Sequence, residues 1–187
     1  MEKAFEELQI KDDFMFSVIM RNPKYCKPFL ERILGVKISR IEYPKSQETI
    51  DISADAKSVR LDIYVEDGNE TVYNIEMQTT ENRNLPKRTR YYQGMIDLNI
   101  LEKGDNYKDL KRSFVIFVCT FDLFGEGRHI YTFENRCNQQ PRCKHSSTVL
   151  GSYVAAHSTC LLHLLSQAQK RGMLVSLSLP LHIVKYV

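Results

Sequence analysis

The chain has 187 residues, 43% of them hydrophobic, and a formal net charge of +3. That size suits one domain, or one domain with an appendage, with enough apolar residues to build a core. The small net charge does not by itself mark a nucleic-acid binder. No run of 18 apolar residues exists, so no transmembrane helix and no membrane partner are expected. Residues 1–11 are mixed and charged and do not read as a signal peptide. The five cysteines are odd in number and irregularly spaced, which argues against a disulfide framework and for a reducing, cytoplasmic setting. Cys137, Cys143 and His145 match no common zinc spacing.

In chain order, Asp12 or Asp13 is placed to cap a helix over 14–20. Asn22-Pro23 breaks it, and a second helix fits 25–34, closed by Gly35. Residues 36–43 alternate imperfectly as a strand and stop at Pro44, and the polar stretch 45–57 reads as a loop containing Asp51 and Asp55. A hairpin follows, 59–66 and 71–78, with Asp67-Gly68-Asn69 in the turn. Pro86 suits a first helical turn, and 87–103 has helical spacing up to Gly104. The apolar run 113–120 has the composition of a strand buried on both faces. Residues 128–134 could add an edge strand. Phe14 and Phe16 are expected in the core, as are Tyr91 and Tyr92 as core and helix-face residues.

The hairpin carries the chemistry. Asp62 lies between apolar residues on its first strand, and Glu76 and Gln78, two apart on the second, point the same way. A turn of about three residues sets Asp62 opposite Glu76. Facing carboxylates repel unless a cation lies between them, and magnesium takes oxygen ligands of this kind. The alternative is a pair of solvated acids on an exposed sheet face, but both strands look core-bound.

The order helix, strand, strand, strand, helix, strand, with Asp on the second strand and Glu-x-Gln on the third, resembles the PD-(D/E)xK nuclease superfamily. It is most similar to the Rpn-like recombination-promoting nucleases, a transposase branch of that superfamily. The resemblance rests on Lys11-Asp12-Asp13-Phe14-Met15-Phe16, Leu61-Asp62-Ile63, Tyr73-Asn74-Ile75-Glu76-Met77-Gln78, Arg88, Tyr91, Tyr92 and Phe117-Val118-Cys119, across about residues 8–136. It implies an α/β (α+β) fold with a restriction-endonuclease-like core, a mixed sheet of about four strands flanked by helices. It also implies metal-dependent cleavage of DNA in recombination or transposition. Asp62, Glu76 and the backbone carbonyl of Met77 would hold Mg2+, with Mn2+ as a substitute, and Gln78 stands where the superfamily usually has lysine. Glutamine can hydrogen-bond a water but carries no charge. The missing charge could come from Arg88 or Lys87, and Lys87, Arg88 and Arg90 are candidate DNA phosphate contacts. Asp13 is a tentative site residue, read more readily as an N-cap. The partners so implied are DNA and a second copy of the chain. The alternatives are a weak or inactive nuclease-fold module that binds DNA or protein, and a truncated mobile-element remnant.

Composition divides the chain near residue 136. All 23 acidic residues lie at or before Glu134, whereas residues 137–187 hold five basic residues and no acidic one. The expected organisation is therefore a nuclease-like domain over 1–136 and an atypical basic segment over 137–187. That segment reads equally as a basic helical extension or as a tail out of frame with its parental gene. Within it, an apolar helix from 161 to about 172 and a short strand over 175–179 are expected.

Overall fold

The computed structural model describes residues 8–43, 49–50, 59–133 and 182–186. Two helices come first, α1 (Asp13–Met20) and α2 (Pro23–Leu34). Asn22 caps α2 by accepting the Lys24 N–H at 3.1 Å, and Gly35 ends it at φ 67°, a backbone conformation that favours glycine. Short strands β1 (Ile41–Glu42), β2 (Thr49–Ile50) and β3 (Val59–Arg60) follow, then β4 (Ile63–Asp67) and β5 (Thr71–Gln78). Helix α3 (Leu85–Ile100) crosses, through a short 3-10 turn (Tyr107–Asp109), to β6 (Arg112–Cys119), and β7 (Ile130–Phe133) and β8 (His182–Tyr186) complete the described elements.

One mixed sheet has the order β1-β4-β5-β6-β8-β7, and β2 pairs with β3 in a separate two-stranded ribbon. The expected α/β core of four strands is β1-β4-β5-β6, with β8 and β7 added beyond β6. The pair β5–β6 is parallel, as a helical crossover requires, and the pair β4–β5 is an antiparallel hairpin. Alternation sorts the core into two layers. Ile63, Val65, Tyr73, Ile75, Met77, Phe114, Ile116 and Val118 pack with α1 and α2. Tyr64, Val72, Val115, Phe117 and Cys119 pack with Leu85, Tyr92, Met95 and Ile96 of α3 on the other face. Strands β5 and β6 are thus buried on both sides; β6 accordingly runs apolar from Phe114 to Cys119, whereas β5 keeps Asn74 and Glu76 buried on its α3 face.

Several expectations change. The first strand of the hairpin is not continuous over 59–66 but stops after Arg60 and resumes at Ile63. Strict alternation would place Leu61 on the α1/α2 side with Ile63. Instead Leu61 is buried in the α3-side cluster, so the chain must bend at 61–62. The strand expected over 36–43 shrinks to two residues, and the loop 45–57 contains β2. Helix α3 spans 85–100 rather than 87–103. The N-cap of α1 is Asp12, and Asp13 is the first residue inside the helix. Asp12 spends its carboxylate on the Gln9 N–H at 2.7 Å rather than on the helix. Phe14 is 59% exposed rather than core, because the inward face of α1 is taken by Met15, Phe16, Ile19 and Met20. Tyr92 is buried and Tyr91 is exposed. The edge strand expected over 128–134 is β7, at the end of the sheet. Strand β8 had no counterpart among the expected elements. The helix and strand expected over 161–179, and the acids Asp51 and Asp55, lie outside the described residues.

Candidate metal and nuclease site

Register brings the two acids together. Ile63 pairs with Ile75, so the next step of the hairpin sets Asp62 opposite Glu76. The turn is firm: Asp67 Oδ1 accepts the N–H groups of Asn69 and Thr71 at 2.8 and 3.0 Å, and its Oδ2 accepts the Tyr73 hydroxyl at 2.8 Å. Because the β4 ladder ends at Ile63, the Met77 N–H meets no strand partner at position 61. The carboxylate of Asp62 takes it, Oδ2 accepting at 3.2 Å. The Asp62 N–H in turn donates to Glu76 Oε1 at 3.2 Å. The bend at 61–62 therefore converts a backbone ladder into a side-chain clasp.

The peptide of Met77 faces the same way. The carbonyl of Gln78 accepts from the Thr120 N–H at 3.1 Å, on the β6 side. Alternation along β5 turns the peptide groups of Met77 to the β4 side, where its N–H already meets Asp62.

Glu76 is 1% exposed, on the face of β5 covered by α3. Burial pushes its carboxyl up to about 7, the nearby Asp62 charge adds to the rise, and hydrogen bonds from the Asp62 N–H and Asn74 with the Arg88 charge oppose it. Asn74, fully buried two residues earlier on the same face, donates from Nδ2 to Glu76 Oε1 at 3.1 Å. Its own Oδ1 is buried without a hydrogen-bond partner. In the sequence Asn74 is only part of the motif; its signal there is the period-two polar series Asn74, Glu76, Gln78, alternating with Tyr73, Ile75 and Met77.

Arg88 enters from the first turns of α3. Its Nη2 donates to Glu76 Oε2 at 3.1 Å and its Nη1 to Gln78 Oε1 at 2.7 Å. Nε and Nη2 also donate to the Tyr92 hydroxyl at 2.9 and 2.6 Å. The guanidinium carbon lies 4.9 Å from the Tyr92 ring centre and 5.0 Å from that of Phe117. Gln78 spends its other end on the Thr80 carbonyl, Nε2 donating at 2.7 Å. The amide of Gln78 is thus a strut for Arg88 and not a free holder of water.

Of the residues named from sequence, Asp62, Glu76, Met77, Gln78 and Arg88 come together here. Lys87 and Arg90 are exposed on α3, and neither makes an ion pair among the described residues. Asp13 opens α1, whose buried residues pack on the opposite face of the sheet; it is exposed and makes no hydrogen bond to this group. Among the described residues no three acidic, histidine or cysteine side chains gather as a metal cluster, so the donor set is two carboxylates with the Met77 peptide beside them. Nor is any helix there long and apolar enough to cross a membrane.

A family model described as PD-(D/E)XK nuclease family transposase matches residues 11–136. No curated protein and no solved structure matches the chain. The match spans both acids, the Glu-x-Gln strand, α3 and β6, and the fold around them is the mixed sheet with helices that this family implies. The chain therefore belongs to the PD-(D/E)XK nuclease family transposases.

Proposed function

We propose that this protein is a divalent-metal-dependent DNA endonuclease that hydrolyses phosphodiester bonds in recombination or transposition. The observation that carries the reading is the clasped pair Asp62–Glu76, one member of which is buried at 1% exposure. Two carboxylates tied to each other's backbone in this way, beside a peptide carbonyl, fit a hard cation such as Mg2+ or Mn2+. Asp62, Glu76 and the Met77 carbonyl would hold it. Once bound, such a cation lowers the pKa of a bound water and offsets charge on the phosphate.

The remaining roles fall to the chain's own groups. Arg88 supplies the positive charge that lysine supplies elsewhere in the superfamily, and Gln78 and Tyr92 hold it at the site. Asn74 orients Glu76 from behind. Lys87 and Arg90, exposed on the same helix, serve the DNA backbone as sequence-independent phosphate contacts.

A second reading has its own observation. Gln78 is neutral and both ends of its amide are engaged, which also suits a nuclease-fold module that binds DNA or protein without cutting. Nicking of supercoiled plasmid with Mg2+ or Mn2+, run beside Asp62→Ala and Glu76→Ala, separates the two. Activity in the wild type alone is the expected result. Equal traces in all three proteins would remove the nuclease reading, and tight metal-independent DNA binding without nicking would favour the module.

A further inference from the structure

We propose that Arg88 is a resident counter-ion of this site: it occupies Glu76 Oε2 when no divalent cation is bound and releases that oxygen when one enters. The inference rests on the metal-site reading above and adds to it a competition between a side chain and the metal.

The two oxygens of Glu76 are not equivalent. Oε1 is committed to the Asp62 N–H at 3.2 Å and to Asn74 Nδ2 at 3.1 Å. Oε2 is paired with Arg88 Nη2 at 3.1 Å. A cation drawn to Glu76 therefore meets Oε2 on terms set by Arg88.

Arg88 does not depend on Glu76 for its position. Its bonds to Gln78 Oε1 at 2.7 Å and to the Tyr92 hydroxyl at 2.6 and 2.9 Å are shorter than the one to Glu76. The rings of Tyr92 and Phe117 flank it as well. When Oε2 is taken by a metal, the guanidinium loses one contact and keeps this cradle. The Arg88 side chain is 33% exposed, so part of the guanidinium group is within reach of a phosphate oxygen.

Charge sets the direction. With both carboxyls ionised, Asp62 and Glu76 carry two negative charges and Arg88 one positive, so this trio alone is net negative. A dication reverses the sign, and the metal and guanidinium then repel at short range. The same arginine that steadies the unloaded pair thus weakens metal binding, and its contribution shifts to the substrate.

The test measures metal binding directly. Calorimetric titration of the folded full chain with Mn2+ at pH 8.5 compares wild type with Arg88→Gln and Arg88→Lys, with Asp62→Ala as the non-binding control. Removing the charge should tighten Mn2+ binding by about fivefold or more, from short-range cation repulsion in a partly desolvated site. Plasmid nicking by the same Arg88→Gln protein should fall by about 100-fold, the scale for loss of one charge-stabilising donor. Arg88→Lys should bind Mn2+ much as the wild type does. Unchanged or weaker Mn2+ binding by a folded Arg88→Gln overturns the competition while leaving the metal site standing. A wild type that binds no Mn2+ overturns the metal site itself. Should Arg88→Gln not fold, the wild type still decides. The Arg88 Nε–H resonance, assigned by its loss in Arg88→Lys, should shift on addition of Ca2+ yet stay visible, and a resonance unmoved at saturating Ca2+ overturns the proposal.

Discussion

Asp62 and Glu76 hold each other through the backbone: the Asp62 N–H donates to Glu76 Oε1 at 3.2 Å, while Asp62 Oδ2 accepts the N–H of Met77, the residue after Glu76, at 3.2 Å. Neither acid can be moved without disturbing the strand of the other. A carboxylate-to-amide change at position 62 keeps an acceptor for Met77 and removes the charge. Asp62→Asn should therefore keep its melting temperature within a few degrees, about 1 kcal/mol of stability. Its nicking activity should fall by two orders of magnitude or more, the scale of loss for a charge-bearing group at a reacting centre. Thermal melts and plasmid nicking on one preparation check both halves.

The raised carboxyl of Glu76 predicts a pH dependence of the metal-free protein. Its folded value, about 7, lies above the ordinary 4.5. The stability it contributes is complete below the ordinary glutamate value and is lost as pH rises through about 7, because the folded state must then carry a buried charge beside Asp62. Relative to Glu76→Gln, the wild type should lose on the order of 2–3 kcal/mol between pH 5 and pH 8 in denaturant titrations with chelator present. Saturating Mn2+ should shrink that difference, since the cation takes the proton's place. Parallel pH profiles for the two proteins would show that Glu76 ionises normally.

Asn74 is predicted to act through Glu76. Asn74→Ala removes the donor to Oε1 and should cost about 1–2 kcal/mol, with a milder loss of nicking than Asp62→Asn. Asn74→Asp places a third carboxylate at a fully buried position 3.1 Å from Glu76 Oε1 in the present geometry. It should cost about 3 kcal/mol or more in chelator, with a larger stabilisation by Mn2+ than the wild type shows. Equal Mn2+ shifts in melting temperature for both proteins would contradict this.

Lys87 and Arg90 should behave as surface phosphate contacts. Replacing either with alanine should leave stability within about 0.5 kcal/mol. Each change should weaken DNA binding without regard to sequence and lower the slope of log affinity against log salt by about 0.9. Fluorescence anisotropy at several salt concentrations measures this. An unchanged slope would place the DNA elsewhere.

Strand β8 tests the basic segment. Its residues pair antiparallel with Val115–Cys119 of β6 and in parallel with β7. A chain ended after residue 181 leaves an inner strand as a bare edge and takes from β7 its only strand partner among the described residues. Such a chain should aggregate or lose about 3 kcal/mol or more. An unaltered melting temperature would make the strand dispensable.

Much of the candidate site is legible in the sequence. Strand β5 was expected at 71–78 and is found there, because its turn chemistry and its alternation agree. The spacing of Asp62 and Glu76 across a short turn was enough to oppose them. Which of Arg88 and Lys87 supplies the missing charge, by contrast, is left open by the sequence. Helical phase and a waiting acceptor in Gln78 turn only Arg88 inward. The bend at Leu61–Asp62 was also illegible, since which layer buries Leu61 depends on α3, more than twenty residues away.

By itself, then, the sequence determined the order of the principal elements, the two-sided burial of β6, and the identity of the paired acids, because these follow from periodicity, turn residues and local spacing. Only the tertiary structure decided that Asp62 leaves the strand to clasp Met77, that Arg88 rather than Lys87 pairs with Glu76, and that a strand from the acid-free segment completes the sheet. Each of these depends on contacts between residues far apart in the chain, where packing of one layer against another outweighs local preference.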